Sequence, residues 1–197
     1  MEGKGSGEGD REVEEIVTMN ISIFGYSEAK PGSKLYKDAY ETARLLAQKG
    51  FTIVNGGGPG VMQAATEGAH AGGGQVIGVY FSPVGMTNFE GKDPKNNVDQ
   101  EIEMPNYVER TLKLLDLGEI YVIFNGGTGT ISEFGMAWGL ARLYFGNHKP
   151  VVLFGQFWEE IIAAFAQNML LRSEEMRVYK IVKTAKEAVK AVSVLKC

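Results

Sequence analysis

The stretch that decides the fold is EIYVIFNGGTGTISE, residues 119–133. Its five consecutive apolar residues, 120–124, are typical of a strand that is buried on both faces of a sheet. A glycine-rich turn follows, and the chain then continues as a predicted helix through 136–138. Strand, glycine turn and helix start together bind anions in α/β proteins, because the backbone can come close and the first helical N–H groups face the anion. The stretch therefore predicts a phosphate site.

Outward from this stretch, predicted strands and helices alternate along the chain. Apolar runs predict further strands at 19–24, 51–54, 75–80, 150–154 and 178–182. Helical spacing predicts helices over 34–48, 61–69, 105–117, 157–169 and 185–195, and from the glycine turn to about 145. This alternation predicts an α/β fold of three layers, with a mainly parallel sheet covered by helices on both faces. Ligands of such folds bind at the carboxyl ends of the strands.

Length and composition limit the other classes of protein. At 197 residues, we expect a flexible tail over residues 1–15 and a single domain over 16–197. The net charge of -4 argues against binding of a nucleic acid polymer. One cysteine and two histidines argue against a disulfide framework and a Cys/His metal site. No run approaches the ~18 apolar residues of a membrane span, so we expect no membrane contact and a reducing, cytoplasmic setting.

A second glycine turn, NGGGPG at residues 55–60, follows another predicted strand. Val61 stands where a dinucleotide-binding fingerprint needs its third glycine, and neither turn has the lysine of a P-loop. The turn is either a tight connection for helix–strand packing or a second contact for phosphate or nucleotide. We favour ligand contact, because two such turns occur at strand ends. Pro59 is predicted to lie in the first turn of the helix that follows.

Two charged residues near the first turn are candidates for chemistry. Glu133 closes the pattern Thr-x-x-Glu from Thr130, so it is a capping-box residue, a carboxylate that meets ligand hydroxyls, or both. Arg110 lies on the predicted 105–117 helix, at the edge of its apolar arc. It is either one more solvated charge or a side chain whose stem packs while its guanidinium reaches a cleft. The residues of that arc are Tyr107, Val108, Leu112, Leu114 and Leu115. The polar segment 81–101 is predicted to be one long loop, of the kind that forms lids or rims.

Taken together, these motifs resemble the Lonely Guy (LOG) family. Its members carry an arginine on a helix and then Pro-Gly-Gly-x-Gly-Thr-x-x-Glu at the same interval. Here fourteen residues separate Arg110 from NGGTGTISE, 125–133. The segment 56–65 resembles the other glycine motif of the family, and 25–27 its N-terminal Gly-Ser segment. The resemblance covers residues from about 19 to 155.

The resemblance implies a Rossmann-like nucleotide-binding domain and a homodimer or larger assembly. It implies a phosphoribohydrolase, which cleaves the N-glycosidic bond of a nucleoside 5′-monophosphate, such as AMP or a cytokinin ribotide, to free base and ribose 5-phosphate. Arg110 and Glu133 would be the catalytic residues, and no metal or other cofactor would be required. The residues expected to bind phosphate or nucleotide are Gly126, Gly127, Thr128, Gly129, Thr130, Gly25, Ser27, Gly56, Gly57 and Gly58.

This sequence departs from the family pattern at two positions. Asn125 stands in place of the motif's proline, and Thr111 in place of a lysine that often follows the arginine. Molybdenum-cofactor carrier proteins resemble the same family, so a non-catalytic carrier or sensor of a nucleotide-like cofactor is the alternative function. The presence of both Arg110 and Glu133 favours the enzyme.

Overall fold

The structure is a computed structural model that describes residues 19–83 and 92–195. The predicted tail over 1–15 lies outside these residues. The strands are β1 (Asn20–Phe24), β2 (Thr52–Asn55), β3 (Val76–Phe81), β4 (Gln100–Met104), β5 (Ile120–Ile123), β6 (Val151–Phe154) and β7 (Tyr179–Val182). The helices are α1 (Lys34–Ala47), α2 (Val61–Ala71), α3 (Tyr107–Leu117), α4 (Thr128–Leu143), α5 (Phe157–Asn168) and α6 (Ala185–Leu195).

The seven strands form one sheet in the order β4-β3-β2-β1-β5-β6-β7, and every neighbouring pair is parallel. The chain builds the sheet outward from β1 in one direction, then returns to the other side of β1 with β5. The carboxyl ends of β1 and β5 therefore meet at a topological switch point, where folds of this class bind ligands. The predicted α/β fold with a parallel sheet is confirmed.

Each face of the sheet is covered by its own set of helices. Along β5, Ile120 and Val122 pack into the core beneath α1, α2 and α6, while Tyr121 and Ile123 pack into the core beneath α3, α4 and α5. This strict alternation explains the continuous apolar run, because both sides of the strand are buried. Within the part of the chain that the structure describes, no helix is long and apolar enough to cross a membrane.

The prediction of one loop over 81–101 is wrong at both ends. Phe81 is the last residue of β3, and Gln100 and Glu101 begin β4, which pairs with β3 as an edge strand. β4 was missed because only Ile102 and Met104 are directed to the core, while the alternate residues are exposed and charged. An edge strand of this kind lacks the continuous apolar run that marked the central strands. Residues 84–91 of the predicted loop lie outside the described part of the chain.

Two helices begin later than the sequence predicts. Pro59 precedes α2, because Gly60 adopts φ 69° and ψ -124°, which is not helical, so the helix starts at Val61. Pro105 likewise precedes α3, which starts after Asn106, whose side chain accepts a hydrogen bond from the Glu109 N–H. The predicted apolar arc of α3 is also partly wrong: Leu114 and Leu115 are buried, whereas Val108 and Leu112 are exposed.

Candidate functional site

A cavity of about 260 Å³ lies at the carboxyl ends of β1, β2 and β5, at the switch point of the sheet. It is open to solvent on one side, and its walls come from several segments that are distant in sequence. Its lining residues are Ile23, Phe24, Gly25, Tyr26, Ser27, Gly56, Met62, Tyr80, Tyr107, Arg110, Gly127, Thr128, Gly129, Thr130 and Glu133. Nine of the twelve residues predicted to form the site are among them, namely all except Gly57, Gly58 and Gly126.

The N-terminus of α4 forms one wall of this cavity. The helix begins at Thr128, with Gly127 as its N-cap residue, and no side chain caps its first turn. Gly127, Thr128 and Gly129 are exposed, and the first turn contains no acidic residue. Helix geometry leaves the first N–H groups without intrahelical partners, so this end carries a partial positive charge that suits an anion. The capping-box prediction is wrong, since Thr130 already lies inside the helix.

Glu133 lies in the second turn of α4, with its side chain only 8% exposed. Burial raises the pKa of this carboxyl to about 7, because a charged carboxylate loses its hydration there, while the nearby Arg110 guanidinium lowers the pKa. The group therefore titrates near neutral pH. A buried carboxyl of this kind, beside an uncapped helix N-terminus, is typical of a functional site.

Arg110 reaches the same cavity from α3 and is held on three sides. Its Nη1 lies 3.4 Å from Glu133 Oε1, and its Nε donates to the Val79 carbonyl at 3.1 Å. Its Nη2 lies 3.8 Å from the Met62 sulfur. The side chain is 12% exposed, so the guanidinium has little freedom and remains beside the carboxylate. The structure thus brings together Arg110 and Glu133, which are 23 residues apart.

The second glycine turn is filled by protein. A Cβ on Gly56 would coincide with the Arg110 guanidinium, so the glycine makes room for that side chain. Gly57 and Gly58 lie outside the cavity lining, because their carbonyls accept hydrogen bonds from the Asp93 N–H at 3.0 Å and from Asn96 Nδ2 at 2.7 Å. These two glycines hold the 92–98 segment against the sheet.

The turn after β1, residues 25–27, makes backbone hydrogen bonds next to both glycine turns. The Tyr26 N–H donates to the Asn125 carbonyl and the Tyr26 carbonyl accepts from the Val61 N–H, both at 2.9 Å. Gly25 lines the cavity and packs closely against Val61: a Cβ on Gly25 would lie 2.7 Å from Val61 Cγ1. Ser27 also lines the cavity.

Gly126 is absent from the cavity lining because it covers a side chain. A Cβ on Gly126 would collide with Thr130 Oγ1, so the Thr130 hydroxyl lies directly beneath the glycine. Thr130 is buried as a result. Thr128 is exposed, and its side chain is the more accessible of the two threonines.

At the two departures from the family pattern, Asn125 is exposed and Thr111 is buried. The Thr111 hydroxyl donates to the Tyr107 carbonyl at 3.0 Å, so this side chain is directed along its own helix and not into the cavity.

Sequence reasoning missed six cavity residues: Ile23, Phe24, Tyr26, Met62, Tyr80 and Tyr107. Tyr107 precedes Arg110 by three positions on α3, and residues with that spacing share a helix face. That spacing was the available signal, but the residue was read as part of the apolar arc. Tyr26 and Met62 lie in the segments 25–27 and 56–65 that carried the family resemblance, but neither was singled out there. No local pattern marked Ile23, Phe24 or Tyr80 as cavity residues.

A seven-stranded parallel sheet with helices on both faces and a helix N-terminus at its switch point defines a Rossmann-like α/β protein. The chain belongs to the SLOG cluster4 family, which it matches over residues 18–188. It is 31% identical over 140 residues to a cytokinin riboside 5′-monophosphate phosphoribohydrolase of Mycobacterium tuberculosis, a match that spans 70% of this chain and 72% of the relative. The predicted relationship to the LOG family is confirmed.

Solved structures of molybdenum-cofactor proteins share the fold. The molybdenum cofactor binding protein of Rippkaea orientalis superposes with a TM-score of 0.67 at 22% identity, over 92% of this chain and 99% of the other. The molybdenum cofactor carrier protein of Chlamydomonas reinhardtii superposes with a TM-score of 0.65 at 23% identity, over 90% and 97%. At these identities the likeness shows the fold alone.

Proposed function

We propose that this protein hydrolyses the N-glycosidic bond of a nucleoside 5′-monophosphate, of the AMP or cytokinin ribotide type, and releases free base and ribose 5-phosphate. The observation that carries the proposal is the pairing of Arg110 with the buried Glu133 in a cavity that also contains an uncapped helix N-terminus. One end of the cavity suits a phosphoryl group and the other suits a sugar that gains positive charge. The name of the Mycobacterium tuberculosis relative supports the same reaction.

In the proposed reaction, backbone N–H groups of Gly127 to Thr130 bind the phosphate, with the Thr128 hydroxyl as a further donor. The bond between the ribose C1′ and the base nitrogen breaks, and its electron pair leaves with the base. Positive charge grows on the ribose ring, as in other glycoside cleavages, and the Glu133 carboxylate stabilises it while accepting hydrogen bonds from the ribose hydroxyls. Water adds its oxygen to C1′, and a proton passes to the released base.

Arg110 could have one of three roles in this reaction: to orient the phosphate, to orient Glu133 or to polarise the leaving base. The 3.4 Å separation from Glu133 Oε1 and the bond to the Val79 carbonyl support the second role. The guanidinium would keep the carboxylate in position and oppose the effect of burial on its pKa. The reactive form of Glu133 is then available near neutral pH.

The test is to incubate the protein with AMP, GMP, CMP, UMP and a cytokinin ribotide, and to measure free base by chromatography. We expect release from at least one nucleotide, and loss of release in Glu133→Gln and Arg110→Ala. Glu160→Gln, at an exposed position of α5, is the matched control and should retain full activity. Wild-type protein that releases base from none of these nucleotides would contradict the proposal.

The second candidate is a non-catalytic carrier or sensor of a nucleotide-like cofactor. It is supported by the molybdenum-cofactor proteins, whose chains this one covers almost completely. A carrier would use the helix N-terminus of α4 to hold a phosphoryl group and would not need Glu133 to ionise. Tight nucleotide binding without release of base, unaffected by Glu133→Gln, would favour the carrier.

We also propose that the chain assembles as a homodimer or larger homo-oligomer. The support is a set of apolar side chains on the outer faces of α3 and α4 that are 48–67% exposed: Val108, Leu112, Ile131, Leu143 and Tyr144. Leu112 and Tyr144 line the same cleft, and contiguous exposed apolar surface marks interaction sites. Light scattering after size exclusion should give a multiple of the 21.5 kDa chain mass, and Leu143→Glu should reduce it. A monomer at micromolar concentration would contradict the proposal.

A further inference from the structure

Tyr107 lines the cavity next to the first turn of α4, although it belongs to α3. Its phenol oxygen lies 2.9 Å from Ser132 Oγ. The same oxygen would lie 3.4 Å from a Cβ built on Gly129, so it stands beside the backbone of the proposed phosphate site. No other side-chain hydroxyl from α3 is among the cavity's lining residues.

The direction of the hydrogen bond between Tyr107 and Ser132 follows from counting protons. Ser132 Oγ donates its single hydrogen to the Gly129 carbonyl at 2.7 Å. A serine hydroxyl has one hydrogen, so Tyr107 must be the donor in the 2.9 Å bond. The phenol therefore donates its hydrogen to a neutral, exposed serine at the rim of the proposed anion-binding helix end.

The ring of Tyr107 is held while its hydroxyl hydrogen is free to turn. Phe81 packs against the ring edge-on, with the centroids 6.1 Å apart and an angle of 72°. The ring also contacts Arg110, whose Cζ lies 6.0 Å from the ring centroid. Rotation about the phenol C–O bond redirects the hydrogen without moving these contacts.

We propose that Tyr107 is a phosphate-binding residue, whose hydroxyl turns from Ser132 to a phosphoryl oxygen when the ligand occupies the first turn of α4. The inference rests on the proposed phosphate site. The exchange is favourable because a hydrogen bond to a charged oxygen is about twice as strong as one between neutral groups. Ser132 keeps its own bond to the Gly129 carbonyl throughout.

The competing explanation is that Tyr107 only ties α3 to α4. The two explanations differ for a matched pair of variants. Tyr107→Phe removes the donor and keeps the ring, whereas Ser132→Ala removes the serine and leaves the donor. As a phosphate ligand, Tyr107 matters and Ser132 does not. As a tie between helices, both matter equally, because each variant breaks the same hydrogen bond.

The experiment is calorimetric binding of ribose 5-phosphate, and of adenosine as a ligand without phosphate, to wild type, Tyr107→Phe and Ser132→Ala. We expect Tyr107→Phe to raise the Kd for ribose 5-phosphate by about tenfold. Ser132→Ala should change it less than about twofold, and the Kd for adenosine should be the same in all three proteins. Equal melting temperatures would show that both variants fold.

Equal weakening by both variants, or no weakening by Tyr107→Phe, would overturn the inference while leaving the proposed function intact. Weakening that is as large for adenosine as for ribose 5-phosphate would overturn it as well. Wild-type protein that does not bind ribose 5-phosphate would overturn the phosphate site itself, and the role of Tyr107 with it.

Discussion

The two glycine turns look alike in the sequence but perform opposite tasks in the structure. In the turn after β2, Gly56, Gly57, Gly58 and Gly60 are all buried. In the turn after β5, Gly127 and Gly129 are exposed, and a Cβ on Gly127 would meet nothing within 4 Å. In the turn after β2 the glycines pack against other parts of the protein. In the turn after β5 the glycine backbone remains exposed, with room for a ligand.

The occupants of the β2 turn explain this difference. Arg110 takes the space above Gly56, the 92–98 segment bonds to Gly57 and Gly58, and the backbone of 26–27 lies against Gly60. A glycine can therefore serve a site by making room for a protein side chain as well as by leaving room for a ligand. Alanine substitutions in the two turns separate these tasks, and the following expectations run from the largest effect to the smallest.

Gly60→Ala should lower the free energy of unfolding by about 4 kcal/mol, because it adds backbone strain and a steric clash. Gly60 adopts φ 69°, and a Cβ there would collide with the Ser27 backbone. Urea denaturation checks the value. Gly127→Ala, with φ -89° and open space, is the matched control and should change stability by less than about 0.5 kcal/mol. Equal stability of both variants would remove the contrast between the turns.

Glu133, which follows the exposed β5 turn, should make the free energy of unfolding depend on pH. Its pKa is raised from 4.5 to about 7 on folding, so the folded state holds the proton more tightly than the unfolded chain. This contribution is complete below about pH 4.5 and is lost as the pH rises through 7, a loss of about 3 kcal/mol. The measurement is urea denaturation of wild type and Glu133→Gln across that range.

The difference in unfolding free energy between wild type and Glu133→Gln should shift against wild type as the pH rises. Glu160→Gln, which removes an exposed carboxylate on α5, controls for the loss of a charge. A difference that stays constant between pH 4.5 and 8 would contradict burial of an ionisable Glu133.

Gly56→Ala should reduce base release by about a hundredfold, the range found when one electrostatic donor is removed from an active site. The new methyl group would displace the Arg110 guanidinium from Glu133. Chromatography of free base checks the rate, with Arg110→Ala as the reference and Gly139→Ala, which has open space on α4, as the control. Activity in Gly56→Ala close to that of wild type would mean that Arg110 needs no such room.

Gly127→Ala should have the smallest effect, a weakening of ribose 5-phosphate binding by about fivefold with unchanged stability. The methyl group meets no protein atom, so it can only crowd a ligand at the N-terminus of α4. A loss of about 1 kcal/mol corresponds to the partial loss of one hydrogen bond to the phosphate. Calorimetry measures the Kd. Unchanged binding would contradict contact between ribose 5-phosphate and this wall of the cavity.

Most of the fold was predictable because the parallel sheet is covered on both faces. The strands β1, β2, β3, β5 and β6 are largely buried on both sides and mostly apolar, so short runs in the sequence were sufficient to mark them. β4 was not predictable in this way, since an edge strand exposes one face. The buried side of α3 was also misjudged, because periodicity marks an apolar face without saying what it packs against.

At the candidate site, the sequence specified residue types and chain order. The interval from Arg110 to the motif at 125–133 and the two glycine turns were sufficient to identify the LOG-like family and the parallel α/β fold. These features are local, since a strand, a glycine turn and a helix start are encoded by neighbouring residues.

Only the tertiary structure decided which glycines line the cavity, which make room for Arg110, and that Tyr107 stands beside the first turn of α4. Those relations depend on segments that meet after the sheet has assembled around β1. The same step buries Glu133 next to a guanidinium from another helix and raises its pKa, because hydration is lost only when distant parts of the chain close over the carboxyl group.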